Sequence, residues 1–89
     1  MQLIKNKEAF EEECWLFSSS LYNFVEKHCE TDSIRWFFDS CYMPDYYTKD
    51  SYTVIFKSYD IEEYKDYILS IEVTYEDNNY NFRIIKQVP

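Results

Sequence analysis

Glycine is absent from this 89-residue sequence, and several classes of functional site depend on it. The phosphate-binding loop, the dinucleotide-binding fingerprint and the nucleophile elbow all use glycine where the backbone turns tightly or approaches a ligand. Helix–loop–helix calcium sites also need a glycine turn. The sequence therefore argues against nucleotide-dependent chemistry and against a calcium loop.

Long apolar runs are also missing. No stretch approaches the roughly 18 residues of a transmembrane helix, and residues 1–5 lack the apolar region of a signal peptide. We expect a single domain over residues 1–89 in the cytoplasm, or in the host cytoplasm if the gene belongs to a phage. Cysteine is scarce: Cys14, Cys29 and Cys41 lie on predicted helix faces, so we expect reduced, buried thiols.

Residues with GC-rich codons are few, with one alanine, two arginines and no glycine. Phenylalanine, tyrosine, methionine, isoleucine, asparagine and lysine supply 39 of the 89 residues, and their codons are AT-rich. This bias indicates an AT-rich genome, such as that of a low-GC bacterium, its phages or its mobile elements.

The charge is strongly acidic, at −8 from 17 acidic and 9 basic residues. Such a charge repels nucleic acid and anionic membranes and attracts basic proteins. Aromatic residues make up 21% of the chain, which is enough to build a small core without a metal or a disulfide. We expect a basic protein partner, and no direct binding of nucleic acid or membrane.

The first half of the chain carries a helical pattern. One stripe recurs at spacings of three and four residues, typical of one helix face, and comprises Phe10, Cys14, Phe17, Leu21, Phe24 and His28. A second stripe lies about 100° further round, and comprises Trp15, Tyr22 and Cys29. With Asn6 as the N-cap, the pattern predicts one continuous helix to about Cys29.

A second, shorter helix is predicted after the cap signal Thr31-Asp32-Ser33. Its apolar residues follow at helical spacing, and are Ile34, Phe37, Phe38, Cys41 and Tyr42. Pro44 would end this helix.

The second half carries strand patterns. Alternation of apolar and polar residues predicts strands over Tyr52–Tyr59, Tyr67–Tyr75 and Tyr80–Ile85. The last two need a two-residue loop at Asp77-Asn78 or at Asn78-Asn79 to align their apolar faces. Residues 60–65 are expected to form one helical turn or a tight loop. The predicted fold is α+β, with two N-terminal helices (long, then short) packed on one face of a three-stranded antiparallel meander, in the order ααβββ.

Constellations for catalysis or metal binding are weak. His28 could act as a general base to Cys29 or Cys41. Adjacent helical residues point about 100° apart, however, so a partly buried histidine near a helix C-terminus is the favoured interpretation. Together with Cys14 these residues supply four soft ligands, but without the short paired spacing of a zinc site. We expect no enzymatic activity, no cofactor and no metal.

The segment from Pro44 to Tyr67 combines tyrosines with acids, and tyrosine is enriched at binding surfaces. Its carboxylates could replace nucleic-acid phosphates in a basic groove. The predicted partner-binding residues are Asp45, Tyr46, Tyr47, Asp50, Tyr59, Asp60, Glu62, Glu63, Tyr64 and Asp66. The opposing interpretation is that the tyrosines complete a small core and the acids keep the protein soluble.

These features favour a small acidic inhibitor or regulator, encoded by a phage or mobile element. It would block a basic nucleic-acid-binding or defence protein, as an anti-CRISPR or a DNA mimic does. An immunity protein or antitoxin that neutralises a basic toxin is the alternative in the same class. A homodimerisation module is the alternative of another class, and Trp15 and Tyr22 would then form the second interface.

Overall fold

The computed structural model of the protein describes residues 2–45, 51–60 and 65–88, with the backbone alone at 60 and 65. The described residues form, in chain order, β1 (Leu3–Ile4), α1 (Lys7–Glu13), α2 (Ser18–Cys29), β2 (Phe37–Tyr42), β3 (Tyr52–Asp60), β4 (Lys65–Glu76) and β5 (Asn79–Val88). The strands make one antiparallel sheet in the order β1-β2-β3-β4-β5. The predicted three-stranded ααβββ arrangement is therefore wrong, while the broader α+β class agrees with the structure.

The predicted long helix is divided into α1 and α2. As predicted, Asn6 caps the first of them, and its Oδ1 accepts a hydrogen bond from the backbone N–H of Ala9 at 3.1 Å. Neither helix in the described part of the chain is long and apolar enough to cross a membrane.

A four-residue turn, from Cys14 to Phe17, separates the two helices. The backbone N–H groups of Phe17 and Ser18 both donate to the carbonyl of Cys14, at 3.1 and 2.9 Å. Phe17, with φ −130° and ψ −9°, has left the helical conformation. Serine is a poor residue for a helix interior and suits a first turn, so the run that starts at Ser18 favours a new helix there.

The predicted second helix is a β-strand, β2, and a β-bulge explains the error. Phe38 pairs with Phe56 and Cys41 pairs with Val54, so both lie on the sheet face that packs against the helices. The register shifts between Phe38 and Ser40, which adds one residue to the normal strand period of two. The bulge thus gives a spacing of three, which in the sequence resembles a helix.

The cap signal at Thr31 forms a local turn and starts no helix. Its Oγ1 accepts hydrogen bonds from the backbone N–H groups of Ser33 and Ile34, at 3.3 and 3.1 Å. Threonine and serine make this kind of bond both at helix N-caps and in turns, so the sequence signal is ambiguous.

The three predicted strands are confirmed as β3, β4 and β5. The loop between β4 and β5 is the two-residue Asp77-Asn78, the first of the two predicted alternatives, because Glu76 pairs with Asn79. Asp77 and Asn78 both have positive φ, 53° and 65°, and such angles are required by the hairpin turns that match the strand twist. The predicted turn at residues 60–65 lies mostly outside the described residues, and Asp60 and Lys65 pair as strand ends.

Aromatic rings join the helices to the sheet. Phe10 on α1 stacks on Phe38 of β2 with ring centroids 4.6 Å apart, and Phe17 meets Tyr52 of β3 edge-on at 4.9 Å. The covered face of the central strands is apolar and fully buried, and comprises Val54, Phe56, Leu69, Ile71 and Val73. This core fixes the position of the α1–α2 turn and of the α2–β2 connection.

Candidate protein-binding surfaces

The described residues of the predicted tyrosine- and acid-rich segment include predicted contact residues toward both ends of β3. β3 is nine residues long, which places its ends roughly 26 Å apart at about 3.3 Å per residue. Asp45 precedes β3 at one end, while Tyr59 and Asp66 face each other across the β3–β4 ladder at the other end, and both are exposed. Among the described residues of this segment, Asp45 is therefore separated from Tyr59 and Asp66 by the length of β3.

Most of the predicted contact residues lie outside the described part of the structure. Those are Tyr46, Tyr47, Asp50, Glu62, Glu63 and Tyr64, together with the side chain of Asp60. Their role in binding stays a prediction.

The break between the helices separates Trp15 from Tyr22, the two residues of the predicted second interface. Trp15 is 70% exposed. Tyr22 is half-buried, and its hydroxyl donates a hydrogen bond to Glu11 Oε1 at 3.0 Å. Burial, followed by the bond to Glu11 and the charge of that carboxylate, raises the pKa of Tyr22 well above its usual value. The two aromatics thus belong to different surroundings.

The α1–α2 turn exposes two large apolar side chains next to each other. Trp15 and Leu16 are 70% and 60% exposed, while Cys14 and Phe17 on either side are buried. Because the ends of the turn are anchored in the core, its two middle residues are held at the surface. The preceding turn of α1 ends in the exposed carboxylates of Glu12 and Glu13. We call these four residues, Glu12, Glu13, Trp15 and Leu16, the junction surface.

The junction surface lies over the start of β3 and the β4–β5 hairpin. The Phe17 ring contacts Tyr52 at 4.9 Å and Tyr80 at 5.0 Å, and Tyr80 contacts the exposed Tyr75 at 4.8 Å. Asp45 lies toward this end of the sheet, because it follows β2, whose last residue Tyr42 pairs with Thr53 near the start of β3, whereas Tyr59 lies at the opposite end.

A groove of about 270 Å³ lies between α2 and the first residues of β2. We call it the α2–β2 groove, and its lining comprises Lys7, Tyr22, Val25, Glu26, Glu30, Trp36, Phe37, Phe38 and Phe56. Trp36 is fixed at two points. Its indole Nε1 donates to the carbonyl of Cys29 at 2.9 Å, and its backbone N–H donates to Glu30 Oε2 at 2.8 Å.

The three cysteines are free and buried. Cys14 and Cys29 lie at helix ends, but Cys41 lies on a strand, which corrects its predicted place on a helix face. The hydrogen bond with Cys14, together with burial, raises the pKa of Cys41, and burial raises that of Cys29. A thiol with a raised pKa is a poor nucleophile at neutral pH.

His28 is exposed on α2, and its ring lies 4.8 Å from that of Phe24. The predicted partly buried position is therefore wrong. Across residues 2–45, 51–60 and 65–88, no group of three or more histidine, cysteine, aspartate or glutamate side chains is placed to hold a metal ion.

The chain matches no protein-family model, and it has no significant match among curated proteins or solved structures. Sequence reasoning included Trp15 in a helix stripe and missed both the exposure of Leu16 and the α2–β2 groove. Only the serine run that follows Phe17 hinted at the break in the helix.

Proposed function

We propose that this protein is a small acidic binding protein that attaches to a larger basic protein and inhibits or regulates it. The observation that carries the proposal is the junction surface, where adjacent exposed Trp15 and Leu16 follow the carboxylates of Glu12 and Glu13. Tryptophan is strongly enriched among the residues that dominate binding energy. The surface therefore combines an apolar anchor with a charge that selects the partner.

Electrostatics supports a basic partner. The chain carries a net charge of −8, and on α1 Glu8, Glu12 and Glu13 are all exposed. Carboxylates arranged around an apolar anchor raise the rate of encounter with a positively charged surface and repel acidic competitors. A nucleic-acid-binding or defence enzyme has such a surface, as does a basic toxin nuclease. The codon bias favours the first of these, in the form of a phage or mobile-element inhibitor.

The test is a comparative capture from a lysate of the source organism, or of its host. Three baits are compared: wild type, Trp15→Ala and Ile85→Ala. Ile85 is an exposed apolar residue on β5, remote in sequence from the junction surface, and serves as the matched control. We expect a basic protein on the wild-type and Ile85→Ala baits and its loss from the Trp15→Ala bait. Equal recovery on all three baits would contradict the proposal.

The oligomeric state separates this function from the homodimer alternative. An apolar seam between two copies keeps its strength at high salt, whereas capture of a basic partner weakens. We expect sedimentation to give a monomer for both wild type and Trp15→Ala. A wild-type dimer that becomes monomeric in Trp15→Ala would assign the junction surface to self-association.

A further inference from the structure

We infer that the α2–β2 groove holds a cationic side chain, lysine or arginine, supplied by the basic partner. The inference rests on the proposed function, since it names the chemical group that the partner would contribute. It involves a part of the molecule that the junction surface does not use, and it can be tested without the partner.

The walls of the groove suit the long apolar stem of such a side chain. Tyr22, Trp36 and Phe38 contribute aromatic surface, and Val25 contributes aliphatic surface. Trp36 cannot easily turn away, because both its indole N–H and its backbone N–H are hydrogen-bonded. Lysine and arginine bury their methylene stems against surfaces of this kind while the charged group reaches a polar rim.

The rim provides negative charge. Glu26 and Glu30 both line the groove and lie about one helical turn apart at the end of α2. Like charges at this spacing destabilise a helix slightly, and the C-terminal end of a helix adds partial negative charge. The Glu30 carboxylate is held by its bond from the backbone N–H of Trp36, while the side chain of Glu26 makes no ion pair or hydrogen bond with the described residues. A bound cation would neutralise this pair.

The groove already holds one ammonium group against an aromatic face. Lys7 Nζ lies 5.7 Å from the centroid of the Tyr22 ring and 3.9 Å from Glu11 Oε1. Both distances fit a cation held by ring and carboxylate together. Trp36 and Glu30 also line the groove and are joined by the backbone N–H of Trp36, and Lys7 is the only lysine or arginine among the described residues that line the groove.

The experiment uses the intact protein labelled with ¹⁵N. The probe is Nα-acetyl-lysine amide, and its neutral match is Nα,Nε-diacetyl-lysine amide, which keeps the stem and loses the charge. The chain has two tryptophans, so the two indole N–H signals report separately on the groove through Trp36 and on the junction surface through Trp15. We expect the charged probe to shift the Trp36 signal in a saturable manner, and the neutral probe to leave it unchanged.

Two variants complete the test. Glu26→Gln should weaken binding of the charged probe by about threefold, the size expected for loss of one exposed ion pair. Glu76→Gln removes an exposed carboxylate on the β4–β5 hairpin and should leave the affinity for the charged probe unchanged. Equal shifts with both probes, equal weakening in both variants, or an unmoved Trp36 signal would each overturn the inference. None of these results depends on Trp15, so failure here leaves the proposed function to its own test.

Discussion

The two tryptophans of this chain lie in opposite surroundings. Trp36 is 7% exposed, and both its indole and its backbone N–H donate hydrogen bonds. Trp15 is 70% exposed and makes no hydrogen bond or ring contact with the described residues. A buried aromatic with a satisfied polar group stabilises a fold, whereas an exposed one next to a second apolar residue is available to a partner. The comparison therefore separates a folding role from a binding role.

The largest expected effect is on stability, at Trp36. Trp36→Ala should lower the free energy of unfolding by about 3–5 kcal/mol, because it removes a large buried ring and leaves the Cys29 carbonyl without its donor. Trp15→Ala should change it by less than about 0.5 kcal/mol. Urea denaturation followed by far-ultraviolet circular dichroism measures both. Equal losses in the two variants would break the comparison.

A second pair sharpens the comparison within the α1–α2 turn itself. Phe17→Ala should cost about 3–5 kcal/mol, because the Phe17 ring is buried among Phe10, Tyr52 and Tyr80. The adjacent Leu16→Ala should cost less than about 0.5 kcal/mol, because Leu16 is exposed. Thermal unfolding of the two variants gives the answer. If Leu16→Ala melts as low as Phe17→Ala, Leu16 is not an exposed residue of the turn in solution.

A smaller effect is expected on association. Reversing Glu12 and Glu13 to lysine should slow binding of the basic partner by about tenfold at low salt, with less effect at high salt. Reversing Asp60, Glu62 and Glu63 to lysine tests, in the same assay, the predicted partner-binding residues at the β3–β4 connection. Surface binding kinetics at two salt concentrations gives the association rate of each charge-reversal variant. If reversing Asp60, Glu62 and Glu63 slows association more than reversing Glu12 and Glu13, the electrostatic contact lies at the other end of β3.

The smallest effect is spectroscopic. In Trp36→Phe the tryptophan emission, excited selectively over that of the tyrosines, comes from Trp15 alone, and it should be red-shifted and readily quenched by acrylamide because that ring is exposed. In Trp15→Phe the emission comes from Trp36 and should be protected. Similar quenching in the two variants would show that the rings do not differ in solution as they do in the structure.

The β3–β5 meander could be predicted because each local signal had one interpretation. Alternation set the faces of β4, and without glycine Asp77 and Asn78 were among the few residues able to take the positive φ of the turn. β2 could not be predicted, because its bulge spaces Phe38 and Cys41 as a helix would. β1 is only two residues long and forms by pairing with β2, so it was missed as well.

The candidate site was less predictable than the fold. Helical periodicity placed Trp15 in a stripe with Tyr22, and that periodicity continues through the break at Phe17, for which the serine run was the one sequence signal. The groove depends on Trp36 and Glu30, which a hydrogen bond brings together across the α2–β2 connection. Contacts of this kind require the three-dimensional fold.

Binding kinetics of Trp15→Ala against the captured partner tests the central claim most directly, with Tyr59→Ala as the comparison at the opposite end of β3. Both rings are exposed, at 70% and 53%. We expect Trp15→Ala to speed dissociation by at least about tenfold, as loss of an aromatic anchor does, and Tyr59→Ala to leave it unchanged. Unchanged dissociation for Trp15→Ala with faster dissociation for Tyr59→Ala would contradict the claim and would place the contact on the β3–β4 hairpin.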